Sequence, residues 1–342
     1  MLELPSFKKI IILFAIVICF YIIYRLIQRR QELLSIDPLN SKLDIVKESF
    51  QDIMPTIQNT SVTDLPLKEY VIFSSWNSCV DSGNNVSLNQ LEKVMKYGCR
   101  FLDFEIYNID GNPEVGYSST GYVATMKMPE IESNTISFMD VCKKIASTNT
   151  PNSNDPLFLH FRIKSKDYTI MEKMSEAIIG SGIANKLYEY DVNKNTVLSK
   201  LLNKFVVIVD KTYVPALEKN ACPKGCKADI RELIGMFSGT MNFPSIKLSH
   251  QLVQDKRPLQ KEEYNTTNTD KFTMVTQDLG THHQPFNTDQ WKSLIIEHKV
   301  QVIPYKFYNK DEALTGYMNF FSDYGHRAFI PMAIAHDALI HS

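Results

Sequence analysis

From residue 67 onward, short apolar runs alternate with longer amphipathic ones, and this alternation limits the possible folds more than any other feature of the chain. Strand-type runs occupy 70–74, 100–107, 114–118, 157–163, 205–209, 246–249, 272–276 and 300–307. Helical patterns occupy 88–97, 135–147, 168–190, 287–298 and 311–321. Ser87, Asn134 or Thr135, and Asn287 stand at N-cap positions before three of them. Eight strands with interleaved helices predict an α/β fold, a distorted (β/α)8 TIM-type barrel. A doubly wound sheet alternates in the same way, so the pattern alone leaves both open. Apolar residues make up 44% of the 342, enough to fill a core of that size.

The chain opens differently. Residues 10–24 form an uncharged apolar run, extended by Leu26 and Ile27. Eighteen residues (10–27) at about 1.5 Å each reach about 27 Å, just enough to span a bilayer. Lys8 and Lys9 flank one end, and Arg25, Arg29 and Arg30 the other. A cleaved signal peptide competes with this reading, but no small-x-small site follows the run. The expectation is a tail at 1–9, a transmembrane helix at 10–27, a connector at 28–66, and two half-barrels at 67–215 and 216–342. The balance of flanking cations places the C-terminal barrel on the cytosolic side of a single-pass anchor. Within the connector, Leu39, Leu43, Val46, Phe50, Ile53 and Ile57 form one stripe of an amphipathic helix.

Charge and motif content exclude several function classes. Lys plus Arg number 37 against 38 Asp plus Glu, a net charge of −1, so there is no bulk positive field for nucleic acid. No GxGxxG or GxxxxGK[ST] motif occurs among only 13 glycines. Six scattered cysteines are too few for a disulfide scaffold. The single close pair, Cys222 and Cys226, reads as two loop thiols or a local disulfide.

Strand 100–107 carries the chemical signal. By parity, Phe101, Asp103, Glu105 and Tyr107 share one face. Two acids on one face of a core strand are costly unless a cation or metal compensates them; the alternative is a solvated edge. On 157–163, His160 and Arg162 likewise share a face, and the arginine is a suitable counter-ion.

Ser74-Ser75-Trp76-Asn77-Ser78 followed by Gly98-Cys99-Arg100-Phe101-Leu102-Asp103-Phe104-Glu105 resembles the X region of phosphoinositide-specific phospholipase C, whose pattern is Ser-Ser-His-Asn-Thr and then Gly-Cys-Arg-x-x-Glu-x-Asp. Pro113 to Ser118 falls on the family's Pro-x-Val-x-Tyr-His. Phe321-Ser322-Asp323-Tyr324-Gly325 is similar to its closing Y-region motif. The resemblance covers about residues 67–335 and implies a distorted TIM barrel acting on phosphoinositides with calcium.

The departures lie at the reactive positions. The histidine that stabilises the phosphorane falls at Trp76, and the general-acid histidine falls at Ser118. Asn77, Asp103 and Glu105 match calcium-binding positions, the two acids with identities swapped. The glutamate that would complete the calcium set falls at Arg162. The family's phosphate-binding lysines have only an offset counterpart, Lys211. Metal-independent bacterial relatives also use an arginine in place of calcium, but they keep both histidines. His282 and His283, in the loop after strand 272–276, are candidate replacements; the alternative is a pair of surface-loop histidines. The expectation is therefore a membrane-anchored, phospholipase-C-like protein without a confident catalytic residue. Its site is lined by Asn77, Asp103, Glu105, Arg162, His160 and Lys211, with no calcium and no other cofactor. Its partners would be the membrane and a phosphoinositide head group or inositol phosphate. An active, calcium-independent phosphoric diester hydrolase using other residues, and a purely structural membrane protein, remain the alternatives.

Overall fold

In the computed structural model of the chain, the described residues are 18, 21, 63–117, 134–151, 153–165, 167, 169–218, 230–247, 271–276, 287, 289–325 and 327–341. Apart from Ile18 and Tyr21, the apolar segment 10–27 lies outside them, as do connector residues 28–62. Among the described residues, no helix is long and apolar enough to cross a membrane. Contacts divide the chain into two units, Met1–Asp52 and Ile53–Ser342. Among the described residues, every strand lies in the second unit.

The strands are β1 (Tyr70–Ile72), β2 (Ser74–Ser75), β3 (Phe101–Ile109), β4 (Asn112–Gly116), β5 (Thr135–Ser137), β6 (Leu157–Ile163), β7 (Phe205–Asp210), β8 (Ile234–Ser238), β9 (Ser245–Lys247), β10 (Met274–Thr276) and β11 (Phe329–Pro331). The helices of this unit are α1 (Leu88–Lys96), α2 (Phe138–Ser147), α3 (Ile170–Gly180), α4 (Ile230–Leu233), α5 (Trp291–Ile296), α6 (Glu312–Asp323) and α7 (Met332–His341).

Parallel pairing runs β2–β3–β6–β7–β8. Strand β9 pairs in parallel with β10. Val302 bridges in parallel to both Met274 of β10 and Ile72 of β1, and Tyr305 bridges to Ser75. The segment 302–305 therefore completes the path back to the first stave. With β1 and β2 counted as one stave, this is the strand order of a (β/α)8 barrel. One seam is open: among the described residues, no ladder joins β8 to β9.

The stave count of eight agrees with the sequence expectation, but its composition does not. The sequence pattern predicts a stave at 114–118. Instead, β4 runs antiparallel to β3, with Ile109 opposite Asn112. Asp110 and Gly111 form the two-residue turn between them, at φ 48° and 77°. Positive φ at both positions suits a tight hairpin and cannot lead into a parallel crossover. The missing stave is β8, whose Gly235 weakens the apolar signal. A Cβ on Gly235 would stand 3.0 Å from Val206 Cγ1, so the glycine lets β8 pack closely on β7.

Helix α1 starts where expected: Ser87 caps it by accepting a hydrogen bond from Gln90 N at 3.4 Å. Its Leu91, Val94 and Met95 are buried, an i, i+3, i+4 stripe facing the core. Two other cap assignments need correction. Helix α2 begins after Ser137, and Asn134 Oδ1 instead accepts from Val86 N. Helix α5 begins after Gln290, while Asn287 ties Lys306 and Asp311 together. Asp311 in turn caps α6 through Leu314 N at 2.8 Å. An aromatic cluster wedges α6 against the first and last staves. Tyr305 stacks on Tyr317 at 4.0 Å and Phe73 on Phe321 at 4.5 Å.

Candidate functional site

Register brings the predicted residues together. Strands β3 and β6 pair with Asp103 opposite His160 and Glu105 opposite Arg162. All four side chains are buried. Arg162 organises the cluster. Its Nε donates to Asp103 Oδ1 at 2.9 Å, its Nη2 to Asp103 Oδ2 at 2.6 Å, and its Nη1 to Glu105 Oε1 at 2.6 Å. Nη2 also donates to Asn77 Oδ1 at 2.6 Å. Trp76 lies flat against the same group, with the guanidinium carbon 3.7 Å from the ring centroid. A planar five-donor fork bound on its edges and stacked on one face is arginine chemistry that lysine cannot reproduce.

The neighbours complete the network. The Asn77 backbone turns through φ 45°, a left-handed conformation that asparagine tolerates, and its N–H donates to Asp103 Oδ2 at 3.1 Å. The Tyr107 hydroxyl donates to Glu105 Oε2 at 2.6 Å. Gly116 makes room for that ring: a Cβ there would stand 2.8 Å from Tyr107 Cδ2. Burial alone would raise the Asp103 carboxyl, but the charges and hydrogen bonds of Arg162 and His160 outweigh it and hold the group well below the carboxylate range. Glu105 is lowered against the same burial by Arg162, Lys164 and Tyr107. Both acids are therefore ionised.

A second chain of bonds crosses the site. His160 Nδ1 lies 2.7 Å from Asp103 Oδ1, and His160 Nε2 lies 2.7 Å from Ser238 Oγ. Because ionised Asp103 can only accept, Nδ1 carries a proton, and the ring links the carboxylate to the Ser238 hydroxyl. Ser238 ends β8, at the C-terminal end of a stave, where barrel enzymes carry their chemistry. The sequence pattern does not single it out, because it does not single out its stave. Lys164 is also new to the site, although it continues the face of His160 and Arg162 by parity. Its Nζ stands 4.0 Å from Glu105 Oε1, and burial lowers its pKa to about 8.

Not every expected residue joins the cluster. Lys211 Nζ lies 5.0 Å from the Phe237 ring centroid, and the residue's backbone N–H bonds Ser238 O. Ser118, His282, His283, Cys222 and Cys226 lie outside the described residues.

The donor set can be tested against calcium, which takes about 6–8 oxygen ligands. Both oxygens of Asp103, Oε1 of Glu105 and Oδ1 of Asn77 already accept from Arg162. A dication among them would sit against a fixed guanidinium charge. The residues present do not fit calcium.

Residues 63–211 match the family described as phosphatidylinositol-specific phospholipase C, X domain. Over this stretch the chain is similar to that X-domain family. Among solved structures, this chain is similar to PLC21 of L. pealei, with 15% identity and a TM-score of 0.58 over 79% of this chain and 37% of that one. It is likewise similar to PLC21 of S. officinalis, with 16% identity and a TM-score of 0.59 over 80% of this chain and 38% of that one. This chain thus spans under two-fifths of the length of these two structures, and at such identity the likeness concerns the fold. No curated protein sequence matches it.

Proposed function

We propose that this chain is a phospholipase-C-like barrel that has lost the family's reaction and retains a binding or scaffold role at a membrane, with a phosphorylated head group as its ligand. The observation that carries this reading is Arg162. It occupies Asp103, Glu105 and Asn77 at once, with Trp76 stacked upon it. The family reaction needs a charge stabiliser and a proton donor for the leaving alkoxide. Tryptophan at 76 offers no titratable group, serine at 118 has no suitable pKa, and Arg162 stands where a glutamate base or metal ligand would. Loss of one acid alone typically costs about 10²–10⁴-fold.

The test is head-group release from phosphatidylinositol and its bisphosphate. The native chain should release none above background. Trp76→His, Ser118→His and Arg162→Glu combined should restore a measurable rate. Robust release by the native chain would refute the reading. The membrane tether, through residues 10–27 with the barrel on the cytosolic side, rests on apolar length and flanking cations. Alkaline carbonate extraction should leave the full-length chain in the pellet.

The Asp103–His160–Ser238 relay favours a second reading, a hydrolase working through a non-family nucleophile. A serine bonded to a base that a carboxylate orients has the geometry of covalent catalysis. Against it, all three side chains are buried and Asp103 is shared with Arg162. A fluorophosphonate probe separates the readings. Labelling of Ser238 that Ser238→Ala and His160→Gln abolish would establish the second; an unlabelled native chain would support the first.

A further inference from the structure

Lys164 follows β6 and ends in a place where the described residues supply it no acceptor. Its side chain is fully buried, and Nζ makes no hydrogen bond among the described residues. The nearest carboxylate oxygen, Glu105 Oε1, is 4.0 Å away, beyond hydrogen-bond range. Nor does Glu105 need the lysine, since Arg162 bonds Oε1 and Tyr107 bonds Oε2, each at 2.6 Å. A buried ammonium with three unused donors is costly, so something must complete it.

An aromatic ring lies over it. Tyr213, in the turn after β7, places its ring centroid 4.1 Å from Nζ. The same tyrosine interacts with Arg162. Tyr213 is only half-buried and belongs to a turn rather than a strand, so a change of its side-chain rotamer can uncover Lys164. The local charge permits an added anion. Arg162 and Lys164 stand with Asp103 and Glu105 in one buried cluster, and the guanidinium already bonds both carboxylates, which leaves the ammonium for a further anion.

We propose that Tyr213 is a displaceable cover over an anion site, and that a phosphoryl group takes the unused donors of Lys164 when the ring swings out. A tetrahedral oxyanion offers several oxygens to one ammonium, which a ring face cannot. This inference rests on the head-group reading above and names the residue that would hold the phosphate. The ligand's phosphoryl could belong to a phosphorylated inositol or to free phosphate.

Calorimetry on the full chain, with inorganic phosphate and with inositol 1-phosphate, tests it. Tyr213→Ala should bind at least about tenfold more tightly than the native chain, because the cover no longer competes. Lys164→Met should bind neither ligand, yet melt at or above the native temperature, since an apolar chain of similar length replaces a buried ammonium that makes no hydrogen bond among the described residues. Lys164→Gln serves if the methionine variant does not fold. Equal affinity for the two ligands would mark a free-phosphate site, and preference for inositol 1-phosphate a head-group site. Either result, if it requires Lys164, supports the proposal. Undiminished binding by Lys164→Met would overturn this site and leave the head-group reading standing. Absence of binding by both the native chain and Tyr213→Ala would remove both. A lowered melting temperature for Lys164→Met would show that the lysine supports the fold, and would overturn the proposal.

Discussion

Two arginines flank the same strand, and their fates differ. Arg162 meets Asp103 and Glu105 on the odd face of β3, where hydrogen bonds or charge partners occupy every edge of the guanidinium. Burial would lower its pKa, yet the two carboxylates raise it well above the ordinary value. Arg100 stands just before β3 and is equally buried. Its Nη2 donates to Thr150 Oγ1 at 2.7 Å, but Nε has no hydrogen-bond partner among the described residues. Burial lowers its pKa to about 10 and raises that of its charge partner Asp155 to about 6. A buried pair holds its charges when geometry satisfies the lone pairs and protons; proximity alone does not compensate desolvation.

That contrast can be broken at its strong end first. Arg162→Ala leaves two buried carboxylates without a cation, and should destabilise the fold by about 3–5 kcal/mol in denaturant unfolding. Native-like stability in that variant would mean that the cluster is solvated.

The next effect is alkaline and belongs to Lys164. Its folded pKa of about 8 lies below the unfolded value of 10.5, so the unfolded chain binds more protons between these limits. Stability should rise as pH climbs from about 8 to 10.5, by at most about 3 to 4 kcal/mol. Lys164→Met should abolish that rise when melts are compared across the window.

Asp155 tests the weaker end, with the opposite sign. Its folded pKa of about 6 exceeds the unfolded value of 3.8, so the native state binds more protons in that window. Stability from this group is therefore lost as pH rises through 4 to 6, by at most about 3 kcal/mol. Asp103 and Glu105, both lowered, lose their contribution only as pH falls below about 4. The difference between the native chain and Asp155→Asn, measured from pH 4 to 7, isolates the Asp155 component.

The smallest effect is expected at Thr150. Thr150→Val removes one hydrogen bond to a charged donor and should cost about 1–2 kcal/mol. A larger loss would mean that Arg100 depends on this single bond more than on Asp155.

How much of this is legible in the sequence differs by element. Parity alone puts Asp103 and Glu105 on one face of β3 and His160 with Arg162 on one face of β6, because side chains alternate with a period of two. The pairing register does what parity suggests. The hairpin arm β4 reads as a stave from its apolar content, although Asp110-Gly111 advertises a tight turn. Strand β8 escapes the pattern because its five residues include Gly235. With it goes Ser238, and hence the contact with His160 from two staves away.

The sequence by itself determined the alternation of strands and helices, the apolar stripe of α1, and the set of charges that had to be compensated. These are local properties, fixed by periodicity and by the cost of burying an acid. Only the tertiary structure decided who compensates whom. It gave both carboxylates and Asn77 to Arg162, stacked Trp76 on that cation, and left the ammonium of Lys164 under Tyr213 with no acceptor among the described residues. Hydrogen bonding depends on angles and on tenths of an ångström between residues 59 or 85 positions apart, as from Arg162 to Asp103 and to Asn77. Register and strand tilt set those distances, and no residue pattern along the chain encodes them.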